Sequence, residues 1–321
     1  MLLKLSDFLQ PKKAVNVESR TTTLNIEHVT KRFDDFVAVN NLSLKARAGR
    51  IFGLLGPNGA GKTTTIRMIV NITAPDSGRI LLFGQHMTAA LQDRIGYLPE
   101  ERGLYKRMKI GEQLRFFAEL KNLDGREATR RIDLWLEKVK LSDWRNKKTM
   151  ELSKGMQQKV QFIAAVLHDP ELLILDEPFT GLDPISVALI EGLVLELKAA
   201  GKTIIFSTHG MEQAERICDD ICLLNKSKKV LDGSLREVKS SFGRNAVALR
   251  VDGAADVLND KSLVSQLQRS SDEVEAVLAE GIDSQELLQR ILATGARITK
   301  FDLVEPSLRD IFISKVGQTN V

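Results

Sequence analysis

The sequence predicts an α/β fold with an all-helical insert, followed by a small α+β appendage. Three observations lead there. A glycine-rich loop at residues 56–63 separates an apolar, strand-like run (51–55) from a helical stretch at 63–71. Apolar strand signals return at 172–175 and 203–207, after a region at about 102–168 whose apolar residues recur at helical spacing. Beyond about residue 240, short strand and helix signals alternate and none of the earlier motifs recurs. The expected organisation is an N-terminal extension at 1–23, a main domain at 24–240 and an accessory α+β domain at 241–321.

Residues 1–23 carry Leu2, Leu3, Leu5, Phe8 and Leu9, enough for a short apolar face, but a frayed terminus is the expectation. Residues 24–29 and 42–46 alternate as strands do. Residues 79–83 read as another strand after the turn formed by Pro75, Asp76, Ser77 and Gly78. Within the insert, 110–122 and 126–139 repeat at helical spacing and meet at the turn Asp124-Gly125. A third helix carries Val160, Ile163, Ala164 and Leu167 on one face. The helix at 185–200 shows Leu189, Leu193 and Leu197 on one side, with Gly201 placed to stop it. In the appendage, 246–251, 273–278 and 298–304 read as strands, and 284–293 and 307–315 as helices.

Composition narrows the function. The 321 residues are 43% hydrophobic and 27% charged, ordinary for a globular chain of about two domains. No apolar run approaches the ~20 residues that span a bilayer, so this chain is not expected to carry a solute across a membrane alone. The N-terminus lacks a continuous apolar core and a small-residue cleavage site, which makes the cytoplasm the default location. The net charge of +4 is spread without a basic block, which argues against nucleic acid as a partner. Cys218 and Cys222 stand four apart on an expected helix and read as reduced, partly buried thiols rather than half of a metal site.

The loop carries the chemistry. Gly56, Pro57, Asn58, Gly59, Ala60, Gly61, Lys62 and Thr63 match the pattern that wraps the phosphates of a nucleoside triphosphate, and Thr64 continues into the helix. Glycines let consecutive N–H groups converge on phosphate oxygens, and the following helix N-terminus favours anions. Lys62 adds a point charge at the β- and γ-phosphates, and the Thr63 hydroxyl can ligate Mg²⁺. A second signal is the apolar run 172–175 ending in Asp176 and Glu177. Charges are rarely placed at the end of a core strand without a use. In a phosphate-loop enzyme Asp176 holds Mg²⁺, and Glu177 orients and deprotonates the attacking water. Ser153 caps the third helix, and Gly155 exposes an N–H at that N-terminus.

The ordered set resembles the ATP-binding subunit of an ABC transporter: the phosphate loop, Leu152-Ser-Lys-Gly-Met156, the acidic strand, Thr180-Gly-Leu-Asp-Pro184 and Ser207-Thr-His209. The resemblance covers residues 24 to about 235. It implies a P-loop NTPase core with a helical signature subdomain (about 102–168), ATP and Mg²⁺ as cofactors, and ATPase activity coupled to transport. It also implies that Phe33 stacks on adenine, that Asp183 links the two sites of a dimer, and that His209 contacts the γ-phosphate. Two copies are expected to meet head to tail, so that Ser153 and Gly155 serve the partner's nucleotide, with closure on ATP and reopening after hydrolysis. A separate membrane-spanning permease is the implied second partner, placing the chain on the inner face of the cell membrane.

Two positions depart from the family pattern. Glu100 stands where glutamine is usual, and an acid there could still ligate Mg²⁺. Lys154 replaces a glycine of the signature, while Ser153 and Gly155 remain. Glu100, the Gly103-Leu-Tyr105 that follows and the C-terminal Glu305-Pro-Ser-Leu-Arg-Asp-Ile-Phe312 resemble the sodium- and drug-exporter-like subgroup that works with type-2 permeases. Two other readings stay open. One is a non-transport ABC ATPase acting on nucleic acid or ribosomes; the other is a regulatory nucleotide sensor, which Glu100 and Lys154 alone support.

Overall fold

A computed structural model describes residues 22–101, 103–242, 246–253, 255–269, 273–279 and 281–317, so the expectation for residues 1–21 lies outside the described residues. The chain divides between Gly233 and Ser234 into two compact units.

The first unit is built on a six-stranded sheet and a three-stranded one. Strands β1 (Thr22–Phe33) and β2 (Phe36–Arg47) form an antiparallel hairpin around Asp34 and Asp35, in which Phe33 and Phe36 are direct partners. Asp34 sits at φ 50, a left-handed conformation that aspartate tolerates better than most residues. Strand β4 (Ser77–Leu82) pairs with the far side of β1.

The larger sheet runs β5 (Ile95–Leu98), β6 (Leu172–Asp176), β7 (Thr203–Thr208), β3 (Ile51–Leu55), β8 (Asp220–Asn225), β9 (Lys228–Ser234). Every residue of β3, β6 and β7 is buried, as expected of parallel strands covered on both faces, which read as continuous apolar runs. Around the sheet lie α1 (Lys62–Ile69), α2 (Ala89–Gln92), α5 (Lys154–Val166), α6 (Pro184–Ala199) and α7 (Met211–Ile217). Helices α3 (Ile110–Leu120) and α4 (Gly125–Lys138) pack with α5 to form the helical insert.

Several elements carry little sequence signal. β5 has only four residues, one of them Gly96, where a Cβ would meet the Ala165 carbonyl oxygen at 2.1 Å. That close approach seats the end of α5 against the sheet. The two cysteines correct the sequence reading. Cys218 terminates α7 in an extended conformation, and Cys222 lies inside β8, so they do not share a helix. Both are buried free thiols whose pKa burial pushes up. They cannot face one another on a helix because the chain turns into a strand after Ile217.

The second unit opens with α8 (Leu235–Ser241), whose Ser234 hydroxyl accepts from Glu237 N while Glu237 reaches back to Ser234 N. Its antiparallel sheet runs β11 (Val264–Arg269), β12 (Val274–Leu278), β10 (Ala246–Asp252), β13 (Arg297–Val304). Leu258 of α9 (Ala255–Asn259) and Leu287 and Ile291 of α10 (Ser284–Ala293) join Val247, Leu249 and Ala276 in a separate core. Helix α11 (Leu308–Gly317) follows.

Candidate functional site

Parallel register lines up the chemistry. Leu98 pairs with Leu175, Asp176 with Ser207, and Leu55 with Thr208. Glu100, Glu177, His209 and the loop after Leu55 therefore leave the sheet at one edge, the carboxyl ends of adjacent strands where α/β proteins bind ligands. There a cavity of about 370 Å³ is lined by Asn58, Gly59, Gly61, Lys62, Thr63 and Thr64 of the loop and α1. Glu100, Glu177, Phe36 and Ala38 complete its wall.

The loop needs its glycines. Gly56 and Gly61 adopt φ 147 and 102, and a Cβ would stand 2.2 Å from the Leu224 oxygen at Gly56 and 2.4 Å from the Ala38 oxygen at Gly61. Gly61 caps α1 without a side chain, and the first turn holds no acid, so the helix N-terminus is left open for an anion. Lys62 is buried and folds back: its Nζ donates to Gly56 O at 2.8 Å and Pro57 O at 3.2 Å, and lies 3.6 Å from Glu177 Oε1.

Asp176 is fully buried at the end of β6. One carboxylate oxygen accepts from the Ser207 hydroxyl, while Oδ2 has no partner. Burial raises its pKa, opposed by the Ser207 and Thr63 hydroxyls. A buried carboxylate oxygen left orphaned costs free energy unless a cation or donor meets it. Among the described residues no cluster of three or more His, Cys, Asp or Glu side chains could hold a metal alone. A cation here would take ligands from Asp176, Thr63 and a bound phosphate, the sparse protein coordination typical of Mg²⁺.

Glu177 follows in a left-handed conformation at φ 49, strained for a non-glycine residue, with its N–H donating to Ser207 O at 3.1 Å. The turn aims its carboxylate back at the cavity. Oε1 receives His209 Nδ1 at 3.0 Å, which sets the histidine's tautomer, and that ring is largely exposed.

The family model described as ABC transporter matches residues 39–180, and one described as ATP-binding protein DrrA1-3-like, C-terminal domain, matches residues 233–316. The uncharacterized ABC transporter ATP-binding protein YhaQ of Bacillus subtilis is 48% identical over 294 residues, spanning 92% of this chain and 98% of that one. This chain belongs to the ABC transporter ATP-binding proteins.

The Nod factor export ATP-binding protein I of Cupriavidus metallidurans is 38% identical over 231 residues, 71% of this chain and 76% of that one. A solved ATP binding subunit of an ABC transporter is 32% identical with a TM-score of 0.65, covering 69% of this chain and 94% of that one. The first unit accordingly has the P-loop NTPase fold, and the chain is an ATP-binding subunit that hydrolyses ATP to power transport through a membrane permease. Among the described residues no helix is long and apolar enough to cross a membrane.

Other residues singled out from the ABC pattern lie off the cavity lining. Ser153 caps α5, accepting from Met156 N at 3.2 Å, and both it and Lys154 are exposed. A Cβ at Gly155 would touch Leu182 at 3.4 Å. Asp183 caps α6 through Ser186, whose N–H and hydroxyl lower its pKa. Phe33 is 49% exposed, with the Lys31 ammonium 5.4 Å from its ring centre.

Sequence reasoning did not single out Phe36, Ala38 or the buried glutamines, and it gave Ser207 no role of its own. Gln158 Nε2 donates to Pro178 O at 3.1 Å, beside Glu177, and Gln161 Nε2 donates to Glu101 O at 3.2 Å. Helix α5 is thus tied to the backbone just after the strand-end acids and to the segment after Glu100. The available signal was a pair of glutamines on the inner faces of an apolar helix.

Proposed function

We propose that this ABC subunit works in an exporter, as a pair of identical chains on the inner face of the cell membrane that close on two molecules of Mg-ATP and part after hydrolysis. The observation that carries the hydrolytic reading is Glu177: a nearly buried carboxylate facing the phosphate-loop cavity, held between His209 and Lys62. Glu177 acts as general base on a water beside the γ-phosphate, and His209 contacts that phosphate. Lys62 leaves its carbonyl contacts for the β- and γ-oxygens, with Asn58, Gly59, Ala60, Gly61 and Thr64 around them and Gly56 and Pro57 shaping the loop. Thr63, Asp176 and Glu100 hold Mg²⁺, and the orphaned Asp176 Oδ2 supports that role.

Pairing is supported by Ser153, Gly155 and Asp183, which lie outside the lining of their own chain's cavity. A solved, 23% identical ABC cassette (TM-score 0.62, covering 66% of this chain) is a dimer. Export is supported by relatives named for Nod factor export and by the DrrA1-3-like accessory domain. The spread of charge supports no nucleic-acid partner. The deciding experiment reconstitutes the chain with its permease in vesicles and measures phosphate release together with the direction of solute movement. Outward movement that stops when hydrolysis is blocked supports the proposal; inward movement overturns the exporter, and absence of phosphate release overturns the ATPase pairing as drawn.

A further inference from the structure

The cavity is lined by an aromatic ring that no motif assigns. Phe36 is 60% exposed and forms part of the wall beside the phosphate loop. Ala38, two residues along β2, also lines the cavity, so this stretch of the strand turns one face toward it, although a register shift against β1 at Ala38 interrupts strict alternation. That face is tied to the loop by backbone: the Ala38 carbonyl approaches Gly61 so closely that any Cβ there would clash. Phe36 lies further out along the strand, at the tip of the β1–β2 hairpin. Phe33 is its direct cross-strand partner and half exposed, and opposed residues of an antiparallel pair project to the same face. Two exposed phenylalanines therefore share one face of the hairpin tip, and one of them lines the phosphate cavity. Among the described residues Phe36 stacks on no other ring.

We propose that Phe36 is a second nucleoside contact of the ATP site, forming with Phe33 a two-ring platform that distinguishes a nucleoside triphosphate from bare triphosphate. The proposal rests on the nucleotide reading of the cavity. An aromatic ring against a base is sequence-tolerant and apolar, so its loss weakens binding without touching the phosphates.

The test is calorimetric titration of the full chain with Mg-ATP and, separately, with inorganic tripolyphosphate and Mg²⁺. Phe36→Ala should weaken ATP about tenfold, the scale of one base–aromatic contact, and leave tripolyphosphate unchanged. Phe36→Tyr should restore ATP binding, and in steady state the loss should fall mainly on KM. ATP affinity within twofold of the unsubstituted chain overturns the proposal, as does equal weakening of tripolyphosphate, which would assign the effect to the strand and not the ring. An unsubstituted chain that binds neither ligand overturns the nucleotide reading itself. Because Phe36 is exposed, Phe36→Ala should melt at the same temperature, which keeps misfolding apart from lost contact.

Discussion

Lys62 Nζ and Glu177 Oε1 stand 3.6 Å apart at the base of the cavity, and both side chains are more than nine-tenths buried. The loop's cation and the strand-end acid face each other where water is scarce. In the proposed mechanism a bound triphosphate offers Lys62 stronger partners, and its departure toward them releases Glu177 for a water. Lys62→Ala removes a charge-assisted contact worth about 1.5–3 kcal/mol, so Mg-ATP affinity should fall roughly ten- to hundredfold. Titration calorimetry reads this directly, and unchanged affinity would remove Lys62 from the phosphate site.

Glu177→Gln separates binding from chemistry. The amide oxygen can still accept from His209 Nδ1, now 3.0 Å from Oε1, but it cannot take a proton. Turnover should drop on the order of 10²–10⁴ while ATP binding persists. Closed pairs should then accumulate in ATP, visible as a doubled mass by light scattering. Full turnover in this variant would move the base elsewhere.

Acid should weaken the fold through His168. Burial, reinforced by the Lys121 charge, holds its pKa down at about 4, against 6.5 for the free side chain, while its Nε2 bonds to Ile95 O at 3.0 Å and Asp93 and Asp169 oppose the shift. The unfolded chain binds this proton more readily, so the contribution to stability is fully present above pH 6.5 and is lost as pH falls toward 4. By pH 5 the loss is roughly 2 kcal/mol. His168→Gln keeps an amide donor for Ile95 and does not titrate. Denaturant melts at pH 7 and pH 5 should therefore show a smaller acid loss for the variant. Equal losses would mean that His168 is already solvated.

What the sequence discloses follows from how strongly each feature is constrained. Gly61 must be glycine because of the Ala38 carbonyl, and Asp176 must be acidic at the end of an otherwise apolar strand, so both stand out in one dimension. Strands β3, β6 and β7 are legible because burial on both faces gives each a continuous apolar run. β5 and β8 are not, because a four-residue strand containing Gly96 and a strand opening with Asp220 carry too little pattern. Asp220 is buried against Arg47 and Arg50, partners more than 150 positions away. Cys218 and Cys222 keep helical spacing only by coincidence, since Asp219 N bonds to Ile51 O and starts a strand between them. Phe36 was hidden for another reason: its role depends on which face of β2 meets the loop, and both faces carry apolar residues.

The segment after Glu100 is held at two points by buried glutamines. Gln113, with no exposed surface, accepts from Tyr105 N and donates to Thr149 Oγ1 at 3.0 Å. Gln161 donates to Glu101 O, but its own Oε1 is buried without a partner. The two substitutions should therefore differ. Gln113→Leu strands the Tyr105 N–H and should cost about 1–3 kcal/mol, whereas Gln161→Leu also removes an unsatisfied acceptor and should cost less than about 1 kcal/mol. Both tethers restrain one short segment, so cutting the first already frees much of what the second holds. The double variant should cost less than the two singles together by about 0.5 kcal/mol or more, measured by denaturant unfolding. Additivity within about 0.3 kcal/mol would show that the tethers act independently and that the segment is anchored elsewhere.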